Sequence, residues 1–272
     1  MSSRIEDTAP PDRTALPQTS MPEVNEVTAE DIKASLRAGF SDFRARPVMS
    51  GFFGLFYAAF GLLLVLCLLL FGQVWMVIPA LVAFPLVAPF AAAGLYEMSR
   101  RRQRGESFGW AEILTVMASQ RKREMGWMAF VTLFILWVWF YQFRTVLVIV
   151  LQDASFSDLD GFFSTVFFTP EGWTFLAIGT CVGALLSAVL FSATVVAMPL
   201  LLDRDIDFVT ALITSFGVVR ENPAVMLGWA AIIAVTLFVS LVPAFLGLVF
   251  TLPVLGHTTW HLYQRAVAPA EG

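Results

Sequence analysis

The chain has 272 residues, of which 58% are hydrophobic and only 14% are charged, and its mean hydropathy is +0.75. Soluble domains carry about 25% charged residues. Here, stretches of 50, 31 and 43 residues without a charged side chain follow Arg46, Glu171 and Glu221. Since about 20 apolar residues span a bilayer, these runs exclude a soluble fold and predict an all-α, polytopic membrane bundle. The net charge of -4 gives no reason to expect a nucleic-acid partner.

The N-terminal segment, residues 1–27, differs from the rest of the chain in composition. It is rich in Pro, Ser, Thr and acidic residues and has few large apolar ones, so it cannot bury enough surface to offset the entropy of ordering. We expect a disordered cytoplasmic tail here and a transmembrane domain over residues 28–267. The segment also lacks the basic start and apolar core of a signal peptide, so the first span is expected to be retained as an anchor.

Short or proline-marked breaks divide the apolar runs into three hairpins. Gly72 and Gln73 interrupt the first long run, and Pro243 interrupts the last. These two long runs are each divided into two spans, and the remaining two spans lie on either side of the loop 152–171. Six transmembrane helices are therefore predicted, at residues 50–71, 75–97, 126–150, 173–201, 224–242 and 245–264.

The basic residues are distributed unevenly around these spans. Of the 17 Lys and Arg residues, all but Arg144 fall in segments on one side of the membrane. The loop 152–171, on the other side, has four acidic residues and no basic one. Because Lys and Arg favour short cytoplasmic loops, we expect both termini to lie in the cytoplasm.

Residues 28–47 predict an amphipathic helix that lies in the membrane interface. Thr28 can cap this helix, with Asp31 three residues later. Apolar residues such as Ile32 and Leu36 recur at helical spacing opposite a basic face. A helix with this pattern lies along the membrane surface rather than crossing it.

Two alignments of the sequence with itself predict an internal repeat. A shift of 176 residues aligns Arg44 with Arg220, each in an Arg-x-x-Pro that precedes a hairpin, and a shift of 164 residues pairs Glu97 with His261 at the far ends. Residues 107–120 form a weaker third copy. We therefore expect three parallel units, each an interfacial helix followed by a hairpin, rather than the inverted repeats of many transporters. The units would cover about residues 28–98, 105–202 and 205–265.

The loop 152–171 has a pattern of its own. Phe156, Leu159, Phe163 and Phe167 are helically spaced. This spacing predicts a short helix that lies on the outer surface or dips back into the membrane. We favour a lid over the bundle.

The two histidines of the chain, His257 and His261, are candidates for metal or haem binding. Their spacing of four places both on one face of the last predicted helix, and Glu97 occupies the position equivalent to His261 in the repeat. Two imidazoles and a carboxylate are suitable metal ligands. The alternative, which we favour, is that these side chains lie at the cytoplasmic interface and need no ligand.

Small residues in the fourth span predict a helix-packing face. Gly179, Gly183 and Ser187 recur every four residues, and small residues at this spacing allow helices in a membrane to approach closely.

Arginines near the predicted cytoplasmic surface are candidates for contact with anionic lipid head groups. The basic run after the second span is explained equally well as a topology signal. The candidates are Arg100, Arg101, Arg102 and Arg104 in that run, and Arg44 and Arg220 at the entrances to the first and third hairpins.

Motifs of known catalytic sites are absent from the sequence. There is no GxSxG, phosphate-binding loop, HExxH or pair of catalytic acids at usable spacing. We therefore expect a protein that is not an enzyme and has no catalytic residues.

Several stretches taken together resemble a family of bacterial predicted integral membrane proteins filed as a domain of unknown function. The resemblance implies an inner-membrane location and no established activity. Some members carry an automatic label as cytochrome c oxidase subunit I, whose haems and copper require several histidines on different helices. The stretches are DIKASLRAGFSDFRARP, GLYEMSRR, TPEGW, PLLLDRDIDFVTALITS and LPVLGHTTWHLY, within about residues 30 to 265.

Two functions are compatible with this sequence. The preferred one is a non-enzymatic accessory or scaffold protein without a cofactor, acting through helix packing with other membrane proteins or with lipid. The alternative is a haem- or metal-handling respiratory accessory protein, or a small transporter, that uses His257, His261 and Glu97.

Overall fold

A computed structural model describes residues 21–71, 91–119, 124–151 and 159–269. Within these ranges the chain is helical, and the β-structure consists of one isolated antiparallel bridge. The prediction of an all-α protein is confirmed. The second predicted span, 75–97, lies outside the described residues except for its last seven.

The helices are numbered along the chain. They are α1 (Ala29–Ala45), α2 (Pro47–Phe71), α3 (helical residues 91–103), α4 (Trp110–Ser119), α5 (Glu124–Leu151), α6 (Leu159–Phe168), α7 (Pro170–Thr194), α8 (Ala197–Asp203), α9 (Phe208–Glu221), α10 (Pro223–Leu241) and α11 (Leu248–Ala266).

The first predicted helix is confirmed, and it begins with the expected capping box. The Thr28 hydroxyl accepts a hydrogen bond from the Asp31 backbone N–H, and the Asp31 carboxylate accepts one from the Thr28 backbone N–H. These bonds satisfy donors that a helix N-terminus otherwise leaves unpaired. After Arg46 the chain bends by 101° into α2.

The junction of α1 with α2 has a counterpart between α9 and α10. Arg46 has φ -140° and ψ 62°, and Asn222, which lies 176 residues later, has φ -125° and ψ 50°. Each residue precedes a proline, which disfavours the helical backbone conformation at the residue before it. The two Arg-x-x-Pro segments therefore end one helix and begin the next in the same way.

Three helical segments are long and apolar enough to cross a membrane. They are Gly126–Leu151, Pro170–Asp203 and Pro223–Leu241, and the bent pair of α1 and α2 adds a fourth candidate. Helix α11 falls at the sixth predicted span but is not among the candidates. It carries two histidines and three threonines that are buried or half-buried within the chain. The described residues thus provide three or four of the six predicted spans.

Helix α11 lies at the centre of the packing and contacts α1, α2, α8 and α10. Its Trp260 and Tyr263 are buried with Trp229 of α10. Trp260 also stacks on Tyr96 of α3, with 6.3 Å between ring centroids. Tyr96 and Trp260 are the residues that a shift of 164 aligns, so the ends of the first and third predicted hairpins pack on each other.

Residues 21–27, the end of the segment predicted to be disordered, are ordered. Val24 pairs with Val267, and the Val27 backbone N–H donates to the Asn222 side-chain oxygen at 2.7 Å. These non-local contacts order the residues that lead into α1. Residues 1–20 lie outside the described part of the chain.

The predicted helix in the loop 152–171 is present as α6. It folds back against α7, and Val166, Phe175 and Leu151 form a small apolar cluster. Gly172 allows this close approach, because a Cβ atom there would lie 2.2 Å from the Thr165 carbonyl oxygen. Residues 152–158 lie outside the described ranges.

Two glycines, one in α1 and one in α2, allow these helices to pack closely against α11. A Cβ atom on Gly39 would lie 2.6 Å from the Thr258 backbone nitrogen, and one on Gly54 would lie 2.3 Å from the Leu248 carbonyl oxygen. Because the obstructing atoms are backbone, the helices must separate if either glycine is replaced. Gly228, by contrast, has nothing within 4 Å of the same position.

We expect Gly39→Ala and Gly54→Ala each to lower the free energy of unfolding by about 1–3 kcal/mol through overpacking. Gly228→Ala should be neutral or stabilising by up to about 1 kcal/mol, because alanine favours a helix. Thermal unfolding of the purified proteins in detergent measures the difference. If Gly39→Ala unfolds at the same temperature as the wild type, the close packing of α1 on α11 is contradicted.

Candidate functional site

A buried polar cluster lies where α1, α2, α3 and α11 meet. Its members are Asp42 from α1, Ser50 from α2, Ser99 and Gln103 from α3, and His257, Trp260 and His261 from α11. We call this set the histidine–aspartate network. Apart from Gln103, which is exposed, these side chains are buried, so their polar atoms must find partners within the protein.

The Asp42 carboxylate is the centre of the network. Its Oδ2 accepts a hydrogen bond from the Ser99 hydroxyl at 2.6 Å and lies 2.8 Å from His261 Nε2. Its Oδ1 is paired with the Arg102 guanidinium. A buried carboxylate with three donors, one of them the cationic Arg102, is held in its ionised form.

The position of the proton on His261 follows from its other neighbours. Trp260 Nε1–H can only donate, and it donates to Gln103 Oε1 at 3.0 Å. The Gln103 amide nitrogen therefore faces His261 Nδ1, at 2.9 Å, and donates to it. Since Nδ1 accepts, His261 is neutral and carries its proton on Nε2, from which it donates to Asp42.

His257 has the opposite tautomer. The single hydroxyl proton of Ser99 is used toward Asp42, so Ser99 Oγ accepts from His257 Nδ1–H at 2.8 Å. His257 is fully buried, which favours the neutral ring, so its Nε2 accepts from the Ser50 hydroxyl at 3.0 Å. The bonds form one directed chain in which each hydroxyl or ring donates toward Asp42.

Glu97 does not join the histidines. It is fully buried and pairs with Arg100 and Arg101, each at 2.6 Å. The described hydrogen bonds of His257 and His261 go to other groups. Arg100 and Arg101 follow Glu97 by three and four positions on one helix, which places all three on the same face. This pairing could therefore be predicted from the sequence.

A metal ion would have to compete with protein partners at both histidines. All four ring nitrogens are hydrogen-bonded, and the two acceptor nitrogens are covered by Ser50 and Gln103. In the described part of the chain, no group of three or more His, Cys, Asp or Glu side chains is placed to hold a metal ion. A metal or haem site formed by His257, His261 and Glu97 therefore stays a prediction.

The predicted small-residue face of α7 is only partly covered. A Cβ atom on Gly183 would lie 3.5 Å from Trp139 Nε1 of α5, whereas one on Gly179 would have nothing within 4 Å. Ser187 is exposed and lines a shallow apolar groove between α5 and α7. The face thus contacts α5 and leaves space beside it.

The six candidate arginines divide into two groups. Arg100, Arg101 and Arg102 are engaged by the buried carboxylates described above. The other three have exposed side chains and are Arg104, Arg44 and Arg220.

The role of Asp42 could not be predicted from the sequence. It lies in a helix whose polar residues were expected to face the cytoplasm, and its partners are 57 and 219 positions away along the chain. The only sequence signal is a carboxylate on the side of α1 that also carries small Ser35 and Gly39, which are buried too.

Residues 77–203 of the chain match the model of a family described as "Predicted integral membrane protein (DUF2189)". The match confirms the family resemblance over these residues, which are slightly less than half of the chain. The matched DUF2189 region includes Glu97 and Ser99 but not Asp42, His257 or His261. No curated protein and no solved structure matches the chain.

We expect nitrogen-15 NMR of the two histidines to detect two neutral rings of opposite tautomer at neutral pH. His257 should be protonated on Nδ1 and His261 on Nε2, because their partners fix each proton. Assignment uses His257→Gln, which leaves a single ring signal. Two rings of the same tautomer, or an imidazolium, would contradict the directed chain.

Proposed function

We propose that the protein is a multi-pass protein of the bacterial inner membrane that acts without catalysis, by packing against other membrane proteins or lipid. Six spans in three parallel units would place both termini in the cytoplasm. The 101° bend between α1 and α2 supports one such unit, since it fits an interfacial helix followed by a span. The matching backbone at Arg46 and Asn222 supports a second unit.

The observation that carries this proposal is the outward face of α5. None of its most apolar 18-residue window is buried within the chain, and large side chains such as Phe134 and Trp137 are exposed along it. An apolar surface of this size requires lipid or a partner. The polar groups of the histidine–aspartate network, in contrast, are satisfied inside the chain, as a structural role requires.

Site-specific photo-cross-linking in native membranes tests the packing role. A photoreactive residue at Phe134 or Trp137 should form discrete adducts with another membrane protein, because these positions face outward. The same residue at Trp229, which is buried, serves as the matched control and should form none. Lipid adducts alone at every outward position would contradict a scaffold that binds proteins.

The orientation has its own test in intact cells. In a protein whose native cysteines are replaced, a membrane-impermeant maleimide should label Ser155→Cys without lysis. It should label Arg104→Cys only after lysis, because basic segments stay in the cytoplasm. The reverse order of labelling would contradict the proposed topology.

The second candidate function is a metal- or haem-handling protein or a small transporter. Two buried histidines joined to a carboxylate favour it, because buried ionisable groups in membrane proteins commonly mark ion or proton pathways. Under the preferred proposal, we expect the absorption spectrum and metal analysis of the purified protein to show no stoichiometric haem or metal. A stoichiometric ligand lost in both His257→Ala and His261→Ala would favour the second candidate, and flux measurements would test the transporter form.

A further inference from the structure

An open groove with a basic lining lies on the exposed face of α1. Its volume is about 390 Å³, and α1 provides most of the lining, with one residue from α3. The lining residues are Arg37, Phe40, Ser41, Arg44, Ala45 and Arg102.

Three guanidinium groups border this groove, and they differ in whether another residue of the chain pairs with them. Arg102 is held in place, since it pairs with the buried Asp42 and donates to the Ser41 hydroxyl at 3.0 Å. Arg37 and Arg44 form no ion pair with any described residue, and Arg44 lies over the Phe40 ring at 5.7 Å. The groove therefore has two guanidinium groups without a close ion pair beside a third that is fixed before any ligand arrives.

A mostly apolar groove, whose lining also includes the exposed Arg46, adjoins the basic one at the bend between α1 and α2. The two grooves share Ala45. Val48 in the second groove is 81% exposed, and Trp110 is also exposed there. A surface that is basic on one side, with Arg46 at the junction, and mostly apolar on the other matches an amphiphile with an anionic head better than a free anion.

We propose that these adjoining grooves bind an anionic phospholipid. Its phosphate lies between Arg37 and Arg44 beside Arg102, because guanidinium groups make paired hydrogen bonds to phosphate oxygens. Its glycerol and upper acyl chain lie against Val48 and Trp110. This inference rests on the lipid part of the proposed function and names the lipid class, whereas binding of proteins by the α5 face is independent of it.

The experiment measures binding of short-chain phosphatidylglycerol to the delipidated, full-length protein in a neutral detergent. Phosphatidylcholine and inorganic phosphate serve as comparison probes. The variants are Arg37→Gln, Arg44→Gln and the two combined, and Arg102 is left intact because it supports Asp42. Arg220→Gln is the matched control, since Arg220 is the repeat equivalent of Arg44, is exposed and lies outside the groove.

We expect phosphatidylglycerol to bind more tightly than phosphatidylcholine, and each groove variant to weaken its binding about 5-fold, since a basic residue near an anionic lipid surface contributes about 1 kcal/mol. The double variant should lose about 25-fold while unfolding at the wild-type temperature, and Arg220→Gln should bind like the wild type. Equal affinity for the two lipids, wild-type affinity in the double variant, or an equal loss in Arg220→Gln would overturn the proposal. Full competition by inorganic phosphate at the same concentration would also overturn it, because the ligand would then be a free anion.

Discussion

The buried carboxylate of Asp42 is the constraint on which this end of the bundle depends. Removing a carboxylate from water costs several kcal/mol unless charged and polar partners replace the lost hydration. Ser99, Arg102 and His261 provide that replacement, and they come from α3 and α11. The charge on α1 is therefore satisfied only when three helices are assembled, so the network selects one arrangement of α1, α3 and α11.

The close packing and the hydrogen bonding of these helices support each other. Gly39 brings the α1 backbone against Thr258, between the two histidines in sequence. This short separation places Asp42 within hydrogen-bonding distance of His261. Both rings then use all their nitrogens inside the protein, which is typical of a network that fixes structure. Under the proposed function, interactions with other molecules use the outward face of α5 and the grooves beside α1.

Local features of the fold were predictable from the sequence because they depend on nearby residues. The capping box at Thr28 and the proline junctions at Pro47 and Pro223 follow from short-range rules of helix initiation. The stacking of Tyr96 on Trp260 brings together two positions that the repeat aligns. The pairing of Glu97 with Arg100 and Arg101 also needed only helical spacing, although the repeat had directed attention to His261 instead.

The site itself was only half predictable. The histidines stood out as the only two in the chain, but their main partner, Asp42, is one acid among 21 acidic residues and approaches from a distant part of the sequence. Such a contact depends on how helices cross, which neither periodicity nor spacing encodes. For the same reason, the charge of Arg102 was assigned to the membrane surface, whereas the structure gives it a buried partner.

A double-mutant cycle between Asp42→Asn and His261→Gln tests the central claim most directly. The claim is that these side chains interact with each other and join α1 to α11. Unfolding free energies of the four proteins in detergent should give a coupling energy of about 0.5–3 kcal/mol, as found for residues in direct contact within one network. A coupling energy indistinguishable from zero, with both single variants folded, would contradict the account.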